Sequence, residues 1–213
     1  MALVMIDARQ ALERLREGNQ RFVSGVRIHT SFGEEARRIE LLADQRPFAI
    51  VLGCSDSRVP AEIVFDQGLG DLFVIRVAGN IVAPSQVGSV EFAVERFGTR
   101  LVVVLGHTQC GAIQAALESF EESGVVPSPN LFAIVSRIRP AVAGLVATAL
   151  RDDLPTLTRE AERANVRASA DHLRHGSPVL EGLMRDDRLW VVGAEYSLET
   201  GVVDFFDEAP VAT

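Results

Sequence analysis

Pro47-Phe-Ala-Ile-Val-Leu-Gly-Cys-Ser-Asp-Ser-Arg58 runs from an apolar stretch straight into a cluster of reactive side chains. Leu101-Val-Val-Val-Leu-Gly-His-Thr-Gln-Cys-Gly111 repeats that arrangement farther along. Apolar runs this short, bounded by glycine and polar residues, are what strands buried on both faces look like. Such strands belong to parallel sheets, and open α/β sheets bind ligands in the crevice at the carboxyl ends of their strands. The two stretches therefore predict a pair of neighbouring core strands. Their ends deliver Cys54, Asp56 and Arg58 from one side, and His107 and Cys110 from the other, to a common site.

Working outward, Phe48–Leu52, Leu72–Val77, Leu101–Leu105 and Leu189–Ala194 read as four core strands. Val202–Phe206 follows a tight turn at Glu199-Thr-Gly201, which makes it an antiparallel edge strand. Helical periodicity fills the gaps at Ser85–Phe97, Ala112–Phe120, Leu131–Leu150 (with a kink at Pro140), Thr158–His175 and Pro178–Met184, with a short turn through Glu62, Ile63 and Phe65. The predicted fold class is α/β: a mostly parallel central sheet, four parallel strands plus an antiparallel edge strand, flanked by helices. Residues 1–213 form a single domain, since no linker, repeat or low-complexity tract divides them.

Residues 1–44 read as an N-terminal helical arm. Asp7 and Gln10 form a capping box, and Ala8, Ala11, Leu12, Leu15 and Phe22 recur at helical spacing until Gly25. Ser31–Asp44 reads as a second short helix. An amphipathic helix ahead of the first core strand needs an apolar surface, from its own domain or from a second subunit.

Composition excludes several classes. The 213 residues are 47% apolar with a formal net charge of -8, so the chain is globular and has no basic run to hold nucleic acid. Met1–Met5 lacks the basic and apolar regions of a signal peptide, and no apolar stretch is long enough to cross a membrane. A soluble cytoplasmic protein is the expectation.

Cys54 and Cys110 are the only cysteines. A disulfide between them would suit an oxidising compartment, for which nothing in the sequence speaks. A Cys–His nucleophile would leave the second thiol unexplained. Zinc prefers tetrahedral sulfur and nitrogen ligands and, in catalytic sites, keeps one position for water or substrate. His107 and Cys110, three positions apart at a strand-to-helix turn, can converge with Cys54 on one such ion. Asp56 beside the metal could close the site as a fourth ligand, unless Arg58 holds it in a two-point grip. Each residue alone has a plain structural reading, such as a buried thiol, a turn histidine or a loop salt bridge. Their conjunction at the same kind of strand end points to a metal centre.

Cys-Ser-Asp-Ser-Arg58 followed by Gly106-His-x-x-Cys-Gly111 resembles the β-class carbonic anhydrases. The resemblance extends from Ala11–Phe22 through Ala61–Gln67, Leu72–Arg76 and Glu91–Val94 to the final strands. It implies zinc-dependent reversible hydration of carbon dioxide to bicarbonate and a proton, by attack of a zinc-activated hydroxide. It also implies a homodimer with active sites at the subunit interface, which can pair into a dimer of dimers, and an N-terminal arm lying on the partner subunit. By the resemblance Cys54, His107 and Cys110 are the zinc ligands, and Asp56 and Arg58 the catalytic dyad. Gln45 would orient substrate across the interface, and Phe73, Ala78 and Phe92 would line an apolar pocket; Phe92 stands where tyrosine is commoner. An allosteric branch of the family binds bicarbonate away from the metal and closes its zinc with the aspartate. Gly53, Val59, Pro60, Arg76 and Tyr196 match that branch, but Leu52 stands in place of its tryptophan, so an open, non-allosteric site is expected. The same scaffold can also host hydrolysis of carbonyl sulfide or carbon disulfide, or serve as a non-catalytic zinc-stabilised module.

Overall fold

The computed structural model describes residues 6–29, 35–121 and 128–207. Its sheet contains β1 (Ala49–Gly53), β2 (Leu72–Arg76), β3 (Leu101–His107), β4 (Trp190–Tyr196) and β5 (Val203–Asp207), standing side by side in the order β2-β1-β3-β4-β5. The first four are parallel, and β5 runs antiparallel to β4 at the edge. The chain leaves β1 for β2 on one side and then returns to β3 on the other. The β1–β3 boundary is therefore where the winding reverses, the position at which such sheets form a binding crevice.

The central strands alternate between two cores. Ala49, Val51, Leu101, Val103, Leu105 and Val192 face one, and Ile50, Leu52, Val102, Val104 and Val191 face the other. With both faces covered, every position must be apolar, which is why β1 and β3 read as unbroken hydrophobic runs. The ladder outlasts those runs. Gly106 pairs with Glu195 and His107 with Tyr196, so β3 ends two residues later than its apolar stretch. His107 is thus the last residue of a strand and not the first of a loop.

The helices are α1 (Ala8–Ser24), α2 (Glu35–Glu40), the single turn α3 (Ala61–Val64), α4 (Pro84–Phe97), α5 (Gly111–Glu118), α6 (Pro129–Val146), α7 (Leu154–His175) and α8 (Pro178–Arg185). The helix expected over Leu131–Leu150 stops at Val146 and gives way to a separate 3-10 turn, Ala149–Asp152. There the Thr148 hydroxyl takes the Leu150 N–H, a local bond that competes with helix continuation. Part of the expected Ser31–Asp44 helix, and most of the loop read between Gly124 and Asn130, lie outside the described residues. No helix among the described residues is long and apolar enough to cross a membrane.

α1 forms where its capping box predicts. The Gln10 N–H donates to Asp7 Oδ1 at 2.7 Å, and Gln10 Oε1 accepts the Asp7 N–H at 3.2 Å. Gly25, at φ 74°, ends it with the left-handed cap that favours glycine. Ala11, Leu12 and Leu15 are buried in the core formed with Phe48, Val51 and Leu101, so the arm's apolar stripe finds a surface on its own sheet. Asn19 fastens the far end: its amide donates to the carbonyls of Val64 and Gly201, and its Oδ1 accepts the Val203 N–H. Gly18 lies so close to α3 that a Cβ there would sit 1.8 Å from the Phe65 carbonyl oxygen. Beyond α1, Arg21 donates to the fully buried Asp66 carboxylate, which also accepts the N–H groups of Ile28 and His29.

Gly18→Ala tests the approach of α1 to α3. A free helix position would gain about 1 kcal/mol from this change; here the clash should reverse the sign and cost about 1–3 kcal/mol in urea unfolding. Asp66 gives a pH-dependent counterpart. Burial works to raise its pKa, but hydrogen bonds from Arg21, Ile28 and His29 outweigh it and hold the group below its ordinary value. The stabilisation is therefore present above the unfolded pKa of about 3.9 and fades as pH falls below it. Asp66→Asn should cost about 3 kcal/mol at neutral pH, with the gap to the native chain narrowing below about pH 4.

Candidate metal centre

Cys54 follows the last residue of β1, His107 closes β3, and Cys110 caps the amino end of α5. Their ligand atoms lie within 4.8 Å of one another and all three residues are buried. The turn between His107 and Cys110 is shaped by Gln109, whose φ of 59° swings the chain back over the strand end. The Thr108 N–H donates to the Tyr196 carbonyl at 3.0 Å, and Thr108 Oγ1 accepts the Leu198 N–H at 3.0 Å, so this turn is pinned to the end of β4.

The donor set fits a metal. His107 Nδ1 lies 2.9 Å from the Thr108 carbonyl, which can only accept; Nδ1 therefore carries the proton and Nε2 its lone pair. Nε2 is buried and has no hydrogen-bond partner, an orphan facing two thiols. A hydrogen bond from Cys110, with the Asp56 and Gly79 N–H groups, outweighs burial and lowers the Cys54 thiol. The Cys54 thiolate and burial together push Cys110 up. A cation bound between them removes that conflict and lets both sulfurs ionise.

Asp56 and Arg58 lie beside the cluster. Arg58 Nε donates to Asp56 Oδ1 at 2.9 Å and Nη2 to Oδ2 at 2.8 Å, a two-point grip reinforced by the Arg58 N–H on Oδ1. The guanidinium holds the Asp56 carboxyl well below the usual carboxylate range. Asp56 Oδ2 stays 3.9 Å from His107 Nε2, near the cluster without belonging to it. Arg58 also reaches the Gln109 carbonyl at 3.3 Å, tying the two motifs together.

Three further residues hold the site and were not singled out for this role by the sequence. Arg76, at the end of β2, donates to the carbonyls of Cys54 (2.9 Å) and Asp56 (2.6 Å), bracing the loop that carries both. From α7, Glu162 Oε1 accepts the Cys110 N–H at 3.0 Å, and Asn165 donates to the Gly79 carbonyl at 2.8 Å. For Glu162 and Asn165 the available signal was their place as polar residues on the buried stripe of an amphipathic helix, between Leu157, Ala161, Val166 and Leu173; for Arg76 it was the one charge at the end of an apolar strand.

Within one chain the structure unites only part of the expected site. Ala78 opens the turn after β2, and the next residue, Gly79, donates its N–H to Cys54 Sγ at 3.3 Å. Gln45 does not join them: it is exposed and precedes β1, at the opposite end of that strand from Cys54. Phe73 pairs with Ile50, well short of the carboxyl end of β1, and packs with tilted rings against Phe92 and Phe97 at centroid distances of 6.2 and 6.0 Å. Phe92 is 53% exposed on α4.

A sheet that brings two cysteines and a histidine together at its switch point, with a carboxylate held alongside, defines a class of zinc enzyme. The family model for carbonic anhydrase matches residues 49–203. The chain belongs to this family, and to its β class. It is 42% identical over 195 residues to a carbonic anhydrase of Mycolicibacterium smegmatis, covering 91% of each chain. It is 39% identical over 191 residues to carbonic anhydrase 2 of Mycobacterium tuberculosis, covering 90% of this chain and 89% of that one. Among solved structures, the β-carbonic anhydrase CcaA superposes with a TM-score of 0.69 at 26% identity, covering 94% and 93% of the two chains. A tetrameric β-carbonic anhydrase of Sordaria macrospora shares the fold, with a TM-score of 0.71 at 22% identity over 93% and 94%. Zinc is the cofactor.

The ligand set has a direct test. The native chain should carry about one zinc per subunit by metal analysis, as a tetrahedral site implies. Cys54→Ala, His107→Ala and Cys110→Ala should each lose it on dialysis against a chelator. Phe92→Ala should keep it.

Proposed function

We propose that this protein catalyses the reversible hydration of carbon dioxide to bicarbonate and a proton. The observation that carries the reading is a carboxylate locked by Arg58 beside three convergent metal-ligating side chains. When bound, zinc supplies a Lewis acid that brings the pKa of a water to about 7. Cys54, His107 and Cys110 would hold it. Asp56 then acts as a hydrogen-bond acceptor: kept ionised by Arg58, it takes a hydrogen bond from the attacking hydroxyl and fixes its orientation, while the proton that water gives up in forming that hydroxyl leaves to solvent. Arg58 acts through Asp56. Its two-point grip holds the carboxylate away from the ligand cluster, which favours an open site with a position left for substrate over one closed by aspartate.

The substrate is small, linear and apolar, and Ala78 offers it an apolar wall. Gln45 cannot serve the site of its own chain from the amino end of β1. In this reading it completes the site of a partner subunit, with Phe73 and Phe92 contributing to the same interface. A homodimer, with a dimer of dimers as its further assembly, follows. A cytoplasmic location accords with the free thiols of the site.

The test is stopped-flow carbon dioxide hydration against pH, with zinc determined on the same sample. Asp56→Asn should keep its zinc and lose turnover by about 10–100-fold, because the acceptor that orients the attacking hydroxyl is lost. Full activity of that variant at every pH would remove Asp56 from the mechanism. A fully zinc-loaded native chain with no hydration rate would overturn the function itself.

A further inference from the structure

The β2–α4 connection places one backbone N–H on a ligand sulfur, and a helix from elsewhere in the chain holds it there. Val77 N–H bonds the Gly53 carbonyl at 3.1 Å, which carries the β1–β2 pairing one step past the strands. The chain then reverses through Ala78 and Gly79, closed by the Asn80 N–H on the Val77 carbonyl at 3.0 Å. Gly79 has φ 68°, which few side chains tolerate, and a Cβ there would lie 2.9 Å from Ile138 and 3.0 Å from Ala112. In this conformation its N–H points at Cys54 Sγ, 3.3 Å away. The carbonyl of the same residue would be a buried, unsatisfied acceptor without the Asn165 side chain, whose Nδ2 donates to it at 2.8 Å. Asn165 is 2% exposed, fixed on α7, and touches none of the three ligand residues by any hydrogen bond in the structure.

We propose that Asn165 is a positioning residue for the metal centre: by holding the Gly79 turn it aims an N–H at the Cys54 sulfur and so sets how tightly that thiolate holds zinc. The inference rests on the metal reading above and deepens it. An N–H directed at a ligating sulfur withdraws charge from it and fixes its direction, and residues that orient ligands in this way typically change metal affinity by 10–100-fold. Glycine at position 79 and asparagine at position 165 are then two halves of one device. The first permits the turn, and the second keeps it from relaxing away from the sulfur.

The experiment compares Asn165→Asp, nearly the same shape without the donor, with Leu173→Ala, which empties a buried apolar site eight residues farther along α7 and removes no hydrogen bond to the turn. Zinc release to an excess of chelator and the thiolate-to-metal charge-transfer band of the cobalt-substituted protein are read for both, alongside the thermal midpoint of each metal-free chain. Asn165→Asp should release zinc at least about 10-fold faster and shift the cobalt band. Leu173→Ala should lower the thermal midpoint with zinc release and band unchanged. Should the aspartate variant fail to fold, Asn165→Ala removes the donor without adding a buried charge and carries the same expectation. Native release rate and an unshifted band in the Asn165 variants would overturn the inference, as would an equal change in Leu173→Ala. A native chain that binds no zinc would instead overturn the metal reading.

Discussion

Two cysteine sulfurs and an imidazole nitrogen share one buried space, and the sulfurs can both ionise there only if positive charge is supplied to them. Much of the architecture serves this electrostatic condition. The β1–β3 boundary brings the donors together from distant parts of the sequence. The amino end of α5 and the N–H of Gly79 point partial positive charge at the sulfurs. Arg58 and Arg76 hold the loop from outside, one on the Asp56 carboxylate and one on the carbonyls of Cys54 and Asp56. A divalent cation meets what remains of the demand.

The two faces of the sheet divide the labour. α1 and α3 cover one face, and the ionic fastening of the arm through Asp66 lies on that side, away from the chemistry. α7 lies on the other and combines packing with support of the site. Its Val166 side chain fills the space that a Cβ on Gly106 would need, so the helix sits directly on the strand that ends in His107. Glu162, one turn before that contact, and Asn165, immediately before it, reach the backbone around both cysteines. A purely apolar helix would pack as well and would leave the Cys110 N–H and the Gly79 carbonyl without partners.

The strands, their mostly parallel direction, the capping box of α1 and the convergence of Cys54, His107 and Cys110 were legible because each rests on local pattern: unbroken apolarity, helical spacing, or a reactive residue directly after a strand. What was not legible depends on distance or on backbone geometry. The ends of β3 and β4 were read short, because the ladder continues through Gly106, His107 and Tyr196 while hydrophobicity stops. The surface beneath α1 could not be chosen from its stripe alone, since an amphipathic helix specifies that it needs cover and not whose. Glu162 and Asn165 looked like ordinary members of a long helix, because their partners are backbone groups far away in sequence, about which side-chain patterns carry no information. The places of Gln45, Phe73 and Phe92 came from family likeness, and a single chain does not gather them at the metal.

The spacing of the ligands has a consequence for how the chain folds. A metal joined to Cys54 at one end and to His107 and Cys110 at the other closes a loop containing β2, α4 and β3. By the loop-entropy relation for cross-links, closing a stretch of this order removes roughly 4 kcal/mol of freedom from the unfolded chain. The ion is then a clasp across the middle of the sheet as well as a reagent. An unfolded chain can grip it through His107 and Cys110, which are near neighbours, but engages Cys54 only after β1 and β3 have come together. Full coordination thus reports that the central strands have paired correctly, and a chain with those strands mispaired cannot complete it.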